Sequence, residues 1–223
     1  MVGKIVMITG SGSGIGEASV SAFVALGATV CAVDLKPTDD TSVALSGIVD
    51  VRDPESVQEI VDQIVNRFGR IDAVVNCAGV GVEDSVPAHE LTDDVWDRTI
   101  GVNLTGTFNV CRAAVPAMRE FGGSLVTVSG VLGLTRTLAL DYAQIGIRAN
   151  AICPGYIDTP MVRDYLSGFD DPQALIGALN DAHPVGRLGL PAEIAAAAVW
   201  LASDGARFVT GASISVDGGY LAR

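Results

Sequence analysis

Four glycines at alternating positions, Gly10, Gly12, Gly14 and Gly16, follow directly on the apolar run Ile5 to Ile8. The run has the length and β-branched content of a buried strand. The next segment, Glu17 to Leu26, reads as a helix packed by Ala18, Ala22, Phe23, Ala25 and Leu26. Strand, glycine turn and helix together aim backbone N–H groups and the positive end of a helix dipole at a phosphate. Glycine suits such a turn because it lets the chain bend sharply and lets another group approach the backbone closely. The same turn also serves as an ordinary strand-to-helix connection that binds nothing, so the rest of the chain has to decide.

The second candidate is Asp34. It closes an apolar run, Ala28 to Val33, and lies eighteen residues beyond Gly16. That position matches the acid that hydrogen-bonds the adenosine ribose hydroxyls in dinucleotide folds. A carboxylate there repels a 2′-phosphate, and the glycine turn carries no Arg or Lys to attract one, so the pattern points to NAD over NADP. Lys36 is the one nearby counter-argument, and a solvated acid at a strand end is the alternative. Asn103 is the third candidate, because it interrupts an otherwise apolar helical pattern. A buried mid-helix Asn is unfavourable unless something uses it; a purely structural hydrogen bond is the other use. His89 and His183 both read as loop residues.

These side chains need a scaffold, and the chain supplies one in a βα rhythm. Strands are expected over 47–51, 71–76, 124–129, 147–153 and 213–216. Helices are expected over 55–68, from Asp93 through Asn103, over 130–143, and over 192–201. Asp53 and Pro54 open the first of these helices and Thr92 caps the second. Residues 161–179 read as two short helices broken by Gly168 and Pro172, a lid beside the site. The rhythm predicts a Rossmann-type, doubly wound parallel sheet of about seven strands with helices on both faces. The whole chain, 1–223, reads as one domain with a substrate lid over 156–190. Ligands then sit at the carboxyl ends of the strands.

The net charge of −12 opposes non-specific binding to nucleic acid or to anionic membranes. No apolar run is long enough to span a bilayer, and no basic-then-apolar leader is found, which points to the cytoplasm. Cys31, Cys77, Cys111 and Cys153 lie far apart without CxxC spacing, so free thiols in a reducing compartment are expected rather than a metal site.

Several of these stretches together resemble the short-chain dehydrogenase/reductase family, from Lys4 to Gly219. Thr9 to Gly16 fits the TGxxxGxG turn, which implies cofactor contacts from Gly10, Ser13, Gly14, Ile15 and Gly16. The resemblance adds Asp34 with Leu35 beside it, and Asp50-Val51, whose acid meets the adenine amino group in that family. Asn76-Cys77-Ala78-Gly79 resembles the NNAG motif with Cys for the second Asn, and it implies roles for Asn76, Ala78 and Gly79. Pro154-Gly155, Ile157 and Thr159 fit the region that contacts the nicotinamide carboxamide. Asn103 fits the asparagine that helps to hold a proton-relay water, and Asp217-Gly218-Gly219 fits the C-terminal signature. The resemblance implies an NAD-dependent oxidoreductase acting on a small-molecule alcohol or ketone, and a homotetramer.

One motif is missing. The family places a Ser after the fifth strand, then a Tyr and a Lys in a YxxxK motif on the next helix. The phenol exchanges a proton with the substrate oxygen, and the ammonium lowers its pKa. The only lysines here are Lys4 and Lys36, and no Tyr has a Lys four residues on. Asn103 and Ser129 are the retained catalytic candidates. Ser129 aligns with the first Ser of a pair whose second is usually catalytic, and Gly130 follows it; a plain strand-end residue is its alternative reading. A strand normally reaches its crossover helix through two to six residues, yet here the fifth strand meets a helix pattern with none. A missing segment is therefore expected between Ser129 and Gly130, with a chain break there. A real deletion, leaving a catalytically inactive dinucleotide-binding or scaffold protein, is the competing explanation. The short crossover near Pro37 and Thr38 is a second, weaker candidate for a break.

Overall fold

The computed structural model describes residues 1–81, 87–128 and 131–222. The junction between Ser129 and Gly130 lies outside the described residues, and so do Ser129 itself and the break expected there.

Seven strands form one parallel sheet. They are β1 (Ile5–Thr9), β2 (Thr29–Asp34), β3 (Leu45–Ile48), β4 (Ala73–Asn76), β5 (Gly123–Val128), β6 (Ile147–Pro154) and β7 (Ser213–Val216), in the order β3-β2-β1-β4-β5-β6-β7. Every pairing is parallel, with Met7 beside Cys31 and Val74, and Leu125 beside Ala149. The order reverses between β1 and β4, so the crevice for a ligand opens at the carboxyl ends of those two strands.

The central strands are buried on both faces, which is why they read as continuous apolar runs rather than alternating ones. Met7, Cys31 and Leu125 point to one layer, where they meet Ile60 and Ile64 of α2 (Pro54–Phe68), Val110 and Met118 of α4 (Thr107–Met118) and Leu138 of α5 (Leu132–Tyr142). Val6, Ile8 and Val75 point to the other. There they meet Val20 and Phe23 of α1 (Gly14–Ala25) and Ile194 and Leu201 of α8 (Pro191–Ala202). Each fully buried aliphatic side chain stabilises the fold by about 1.5–3 kcal/mol before chain entropy is counted. Between these elements lie α3 (Asp93–Ile100), α6 (Pro160–Ser167) and α7 (Pro172–Ala182).

Most helices start on a side-chain cap. The Asp53 carboxylate accepts the Glu55 N–H and the Ser56 hydroxyl, Thr92 accepts from Val95, Thr159 from Val162 and Asp171 from Ala174. At α8 the Glu193 carboxylate accepts the Leu190 N–H and is gripped by Arg187, which holds it down at about 2. Three helices open with no capping side chain: α1 at the glycine turn, α4, which continues from the helical turn before it, and α5 just after the Ser129–Gly130 junction.

Two features differ from expectation. β3 runs from Leu45 to Ile48, not 47–51, because Asp50 turns the chain: it accepts the Arg52 N–H on its side chain and the Asp53 N–H on its carbonyl. The crossover before it, residues 35–44, is a chain of turns without a helix. The helical run around Asn103 also changes character. Gly101–Gly106 is a π-helical turn between α3 and α4.

Candidate functional site

A cavity of about 390 Å³ opens at the carboxyl ends of β1, β2 and β4. Gly10, Ser13, Gly14, Ile15 and Gly16 form its floor, and Asp34 and Leu35 one rim. Asp50, Val51, Ala78, Gly79 and Thr159 also line it. Of the other expected site residues, Asn76, Asn103, Pro154, Gly155 and Ile157 do not line it directly.

The glycine turn is shaped by two close approaches. Gly10 has φ +64°, and a Cβ there would stand 2.7 Å from the Ala78 nitrogen. A Cβ on Gly16 would overlap the Gly10 carbonyl oxygen. The uncapped first turn of α1 therefore lies against the end of β1 with its backbone donors at the cavity. Across the turn, the Gly12 N–H donates to the Asp34 carboxylate at 2.9 Å, and a Cβ on Gly12 would stand 3.1 Å from that carboxyl carbon. The cradle thus has room for a phosphate beside a fixed carboxylate, and these residues fit a dinucleotide.

Asp50 is committed more firmly than its sequence position implied. Both its oxygens accept from the Arg52 guanidinium, at 2.6–3.0 Å, and that hydrogen bonding holds its carboxyl below the ordinary range. Arg52, Arg98, Val80, Val102 and Met161 also line the cavity and were not identified from sequence. Nothing in their local pattern marks them; they reach the site from separate segments.

Below the cavity floor runs a buried polar chain. The Thr9 hydroxyl donates to Asn76 Oδ1 at 2.6 Å, Asn76 Nδ2 to the Thr107 hydroxyl at 2.8 Å, and that hydroxyl to the Asn103 carbonyl at 2.7 Å. The Thr9 oxygen also accepts the Ala78 N–H at 3.3 Å. Asn76 is thus a brace beneath the site. The Asn103 side chain pairs with both backbone groups of Val80: Oδ1 accepts its N–H at 2.8 Å and Nδ2 donates to its carbonyl at 2.9 Å. The π turn widens the helix so that this amide meets the loop after β4; such turns are frequent at functional sites. Asn103→Ala is expected to lower stability by about 1–3 kcal/mol, since it strips both partners from Val80. Chemical denaturation measures it, and an unchanged midpoint would show that the clamp carries no stability.

The lid side is held by a different set. Asp158 pairs bidentately with Arg163 at 2.7 and 2.9 Å. Tyr156 lies in a cluster with His183 and Tyr220. Burial pushes the Tyr156 phenol up, with Tyr220 and Tyr165 adding to the shift, so it stays protonated and makes a poor base. Burial likewise pushes the Cys77 thiol up to about 12. His183 lies in the connection that follows α7, a loop residue as expected, but it is buried and hydrogen-bonded through both ring nitrogens. Among the described residues no group of metal-ligating side chains comes together.

Comparison with known proteins agrees with this geometry. Residues 4–134 match the family described as short chain dehydrogenase, and residues 129–221 match enoyl-(acyl carrier protein) reductase. D-threitol dehydrogenase of Mycolicibacterium smegmatis is 38% identical over 248 aligned positions, covering 98% of this chain and 93% of that protein. The 3-oxoacyl-[acyl-carrier-protein] reductase of Thermotoga maritima is 37% identical, covering 97% of each. The ligand-free structure of Thermoplasma acidophilum aldohexose dehydrogenase superposes with a TM-score of 0.92 at 33% identity, over 99% of this chain and 94% of that one. An alignment of 248 positions against a chain of 223 residues leaves at least 25 positions of the threitol enzyme (248 less 223) facing no residue here. With both family matches, near-complete coverage and a shared sheet, the chain belongs to the short-chain dehydrogenase/reductase family of oxidoreductases.

Proposed function

We propose that this protein is an NAD-dependent oxidoreductase that interconverts a secondary alcohol and a ketone. The observation that carries the reading is the Asp34 carboxylate, fixed by the Gly12 N–H at the rim of the glycine-floored cavity. There it would accept from the ribose diol and repel a 2′-phosphate. The turn residues Gly10 to Gly16 and the open end of α1 would hold the pyrophosphate. Asp50 and Val51 would take the adenine, and Ile157 and Thr159 the carboxamide, with Pro154-Gly155 shaping that loop. Asn76, Ala78 and Gly79 would back the ribose side. The nicotinamide supplies the hydride chemistry when bound. Asn103 would support the proton relay, and Ser129 is kept as a candidate beside it. Residues 156–190 would close over the substrate and exclude water within a single domain.

The proton-transferring Tyr and its Lys fall in the segment we place between Ser129 and Gly130. The excess of aligned positions in the threitol enzyme supports a missing segment, and the uncapped start of α5 just after this junction supports placing it there. A second reading, a dinucleotide binder without turnover, draws on the absence of any YxxxK pair in the sequence. Sequencing the gene across this junction and assaying its full product with NAD on a panel of secondary alcohols separates the two. Turnover supports the enzyme, and tight NAD binding without turnover across the panel supports the binder.

The free cysteines, and the absence among the described residues of any helix long and apolar enough to cross a membrane, support a cytoplasmic protein. Exposed Leu140 on α5, Trp200 on α8 and Phe208 before the edge strand β7 support the homotetramer usual in this family.

A further inference from the structure

We infer that His183 is a positioning residue that ties the lid to the loop serving the nicotinamide half of the cofactor. The inference rests on the dinucleotide reading above. His183 is only 2% exposed and stands at the C-terminal end of α7. Its Nδ1 lies 2.7 Å from the Leu179 carbonyl in the last turn of that helix. A carbonyl only accepts, so Nδ1 carries the proton and Nε2 is left as an acceptor. Nε2 receives the Tyr156 N–H at 3.2 Å. One neutral ring therefore joins the lid helix to the loop that leaves β6.

That loop is packed so closely that the ring sets its path. A Cβ on Gly155 would stand 2.8 Å from His183 Nε2 and 3.0 Å from the Asp217 Cα. Three further ties are backbone to backbone, Gly155 N–H to Val216, Gly189 N–H to the Tyr156 carbonyl and Asp158 N–H to Gly189, and the Asp158 carboxylate also holds Arg163 of α6. The loop ends at Thr159, whose methyl would lie 3.2 Å from a Cβ on Gly14, against the glycine turn and in the cavity lining. Loss of the Nε2 acceptor strands the Tyr156 N–H and frees this end alone. The adenine end, served by Asp34 at the end of β2 and Asp50 just beyond β3, is untouched.

The test compares NADH with ADP-ribose, which lacks the nicotinamide, by calorimetric titration of wild type, His183→Leu and His183→Gln. Leu fills the space without an acceptor; Gln restores an acceptor. His183→Leu is expected to weaken NADH about tenfold, as for one hydrogen bond lost in a desolvated site, with ADP-ribose within about twofold of wild type. His183→Gln is expected to recover most of the loss. Equal weakening of both ligands, no weakening of NADH, or a Gln variant no better than Leu overturns the proposal. Should His183→Leu fail to fold, hydrogen exchange on the wild-type protein decides. NADH, and not ADP-ribose, must slow exchange in both 155–159 and 179–189, and any other pattern overturns the tie. A wild-type protein that binds neither ligand overturns the dinucleotide reading, and this inference with it.

Discussion

Gly16→Ala is expected to abolish dinucleotide binding and to lower stability by about 3 kcal/mol or more. The added methyl would overlap the carbonyl oxygen of Gly10, and that oxygen cannot retreat. Gly10 holds a left-handed φ of +64°, and its own α-carbon substituent would already crowd the Ala78 backbone. The obstacle is main chain on main chain, so no rotamer change relieves it. Relief has to come from α1 moving off the end of β1. That movement pulls Val20 and Phe23 out of the layer they share with Ile194 and Leu201, which is the stability cost. It also turns the open end of the helix away from the cavity, which is the binding cost. Gly12→Ala provides the contrast. Its methyl would meet the Asp34 carboxyl at 3.1 Å, a side chain able to shift, so weakened binding at nearly wild-type stability is expected. NADH titration and chemical denaturation on the two variants measure both effects. Wild-type NADH affinity in Gly16→Ala would remove the glycine turn from the phosphate site.

What was legible in the sequence and what was not divide along physical lines. Strands such as β1 and β2 are buried on both faces, and continuous runs like Ile5 to Ile8 advertise that locally. Asp53 and Thr92 mark helix starts through bonds to residues close in sequence, so their spacing is readable. The glycine turn and Asp34 sit at fixed distances within one βαβ unit, and the structure brings both to the cavity. The π turn at Gly101–Gly106 is another matter. It leaves the apolar pattern nearly intact, and the partner its amide meets lies elsewhere: the Val80 backbone takes both ends of the Asn103 amide. His183 precedes a proline and reads as a loop residue; it is buried, and one of its hydrogen-bond partners, the Tyr156 N–H, lies 27 positions away. Arg52 shares the same limit, since a guanidinium beside an acid reads as an ordinary surface pair until the cavity is seen next to it.

Asp34→Ala is expected to shift cofactor preference from NAD toward NADP by about 30- to 1,000-fold in the ratio of affinities. Two effects act in the same direction. The carboxylate is the acceptor at the rim suited to a ribose diol, so its loss weakens NAD by the worth of charge-assisted hydrogen bonds, about 1.5–3 kcal/mol. Its charge also opposes a 2′-phosphate. Two unit charges about 4 Å apart near a protein surface repel by about 4 kcal/mol, and salt reduces this. A preference change of about 2–4 kcal/mol follows, which corresponds to the stated ratio. The fold itself should barely respond. The bonds that are lost, from the Gly12 and Lys36 N–H groups, are exposed, so water replaces the acceptor. Lys36, whose backbone N–H also reaches the Asp34 carboxylate at 3.3 Å, then leaves a cation two residues along the chain from the lost charge. Asp34→Ala with Lys36→Gln should therefore keep the weak NAD binding and lose part of the gain for NADP. Parallel titrations with NADH and NADPH at low and moderate salt measure the ratio. An unchanged ratio in Asp34→Ala would place cofactor choice elsewhere, and a gain for NADPH that persists at high salt would mean that steric room, not charge, sets it.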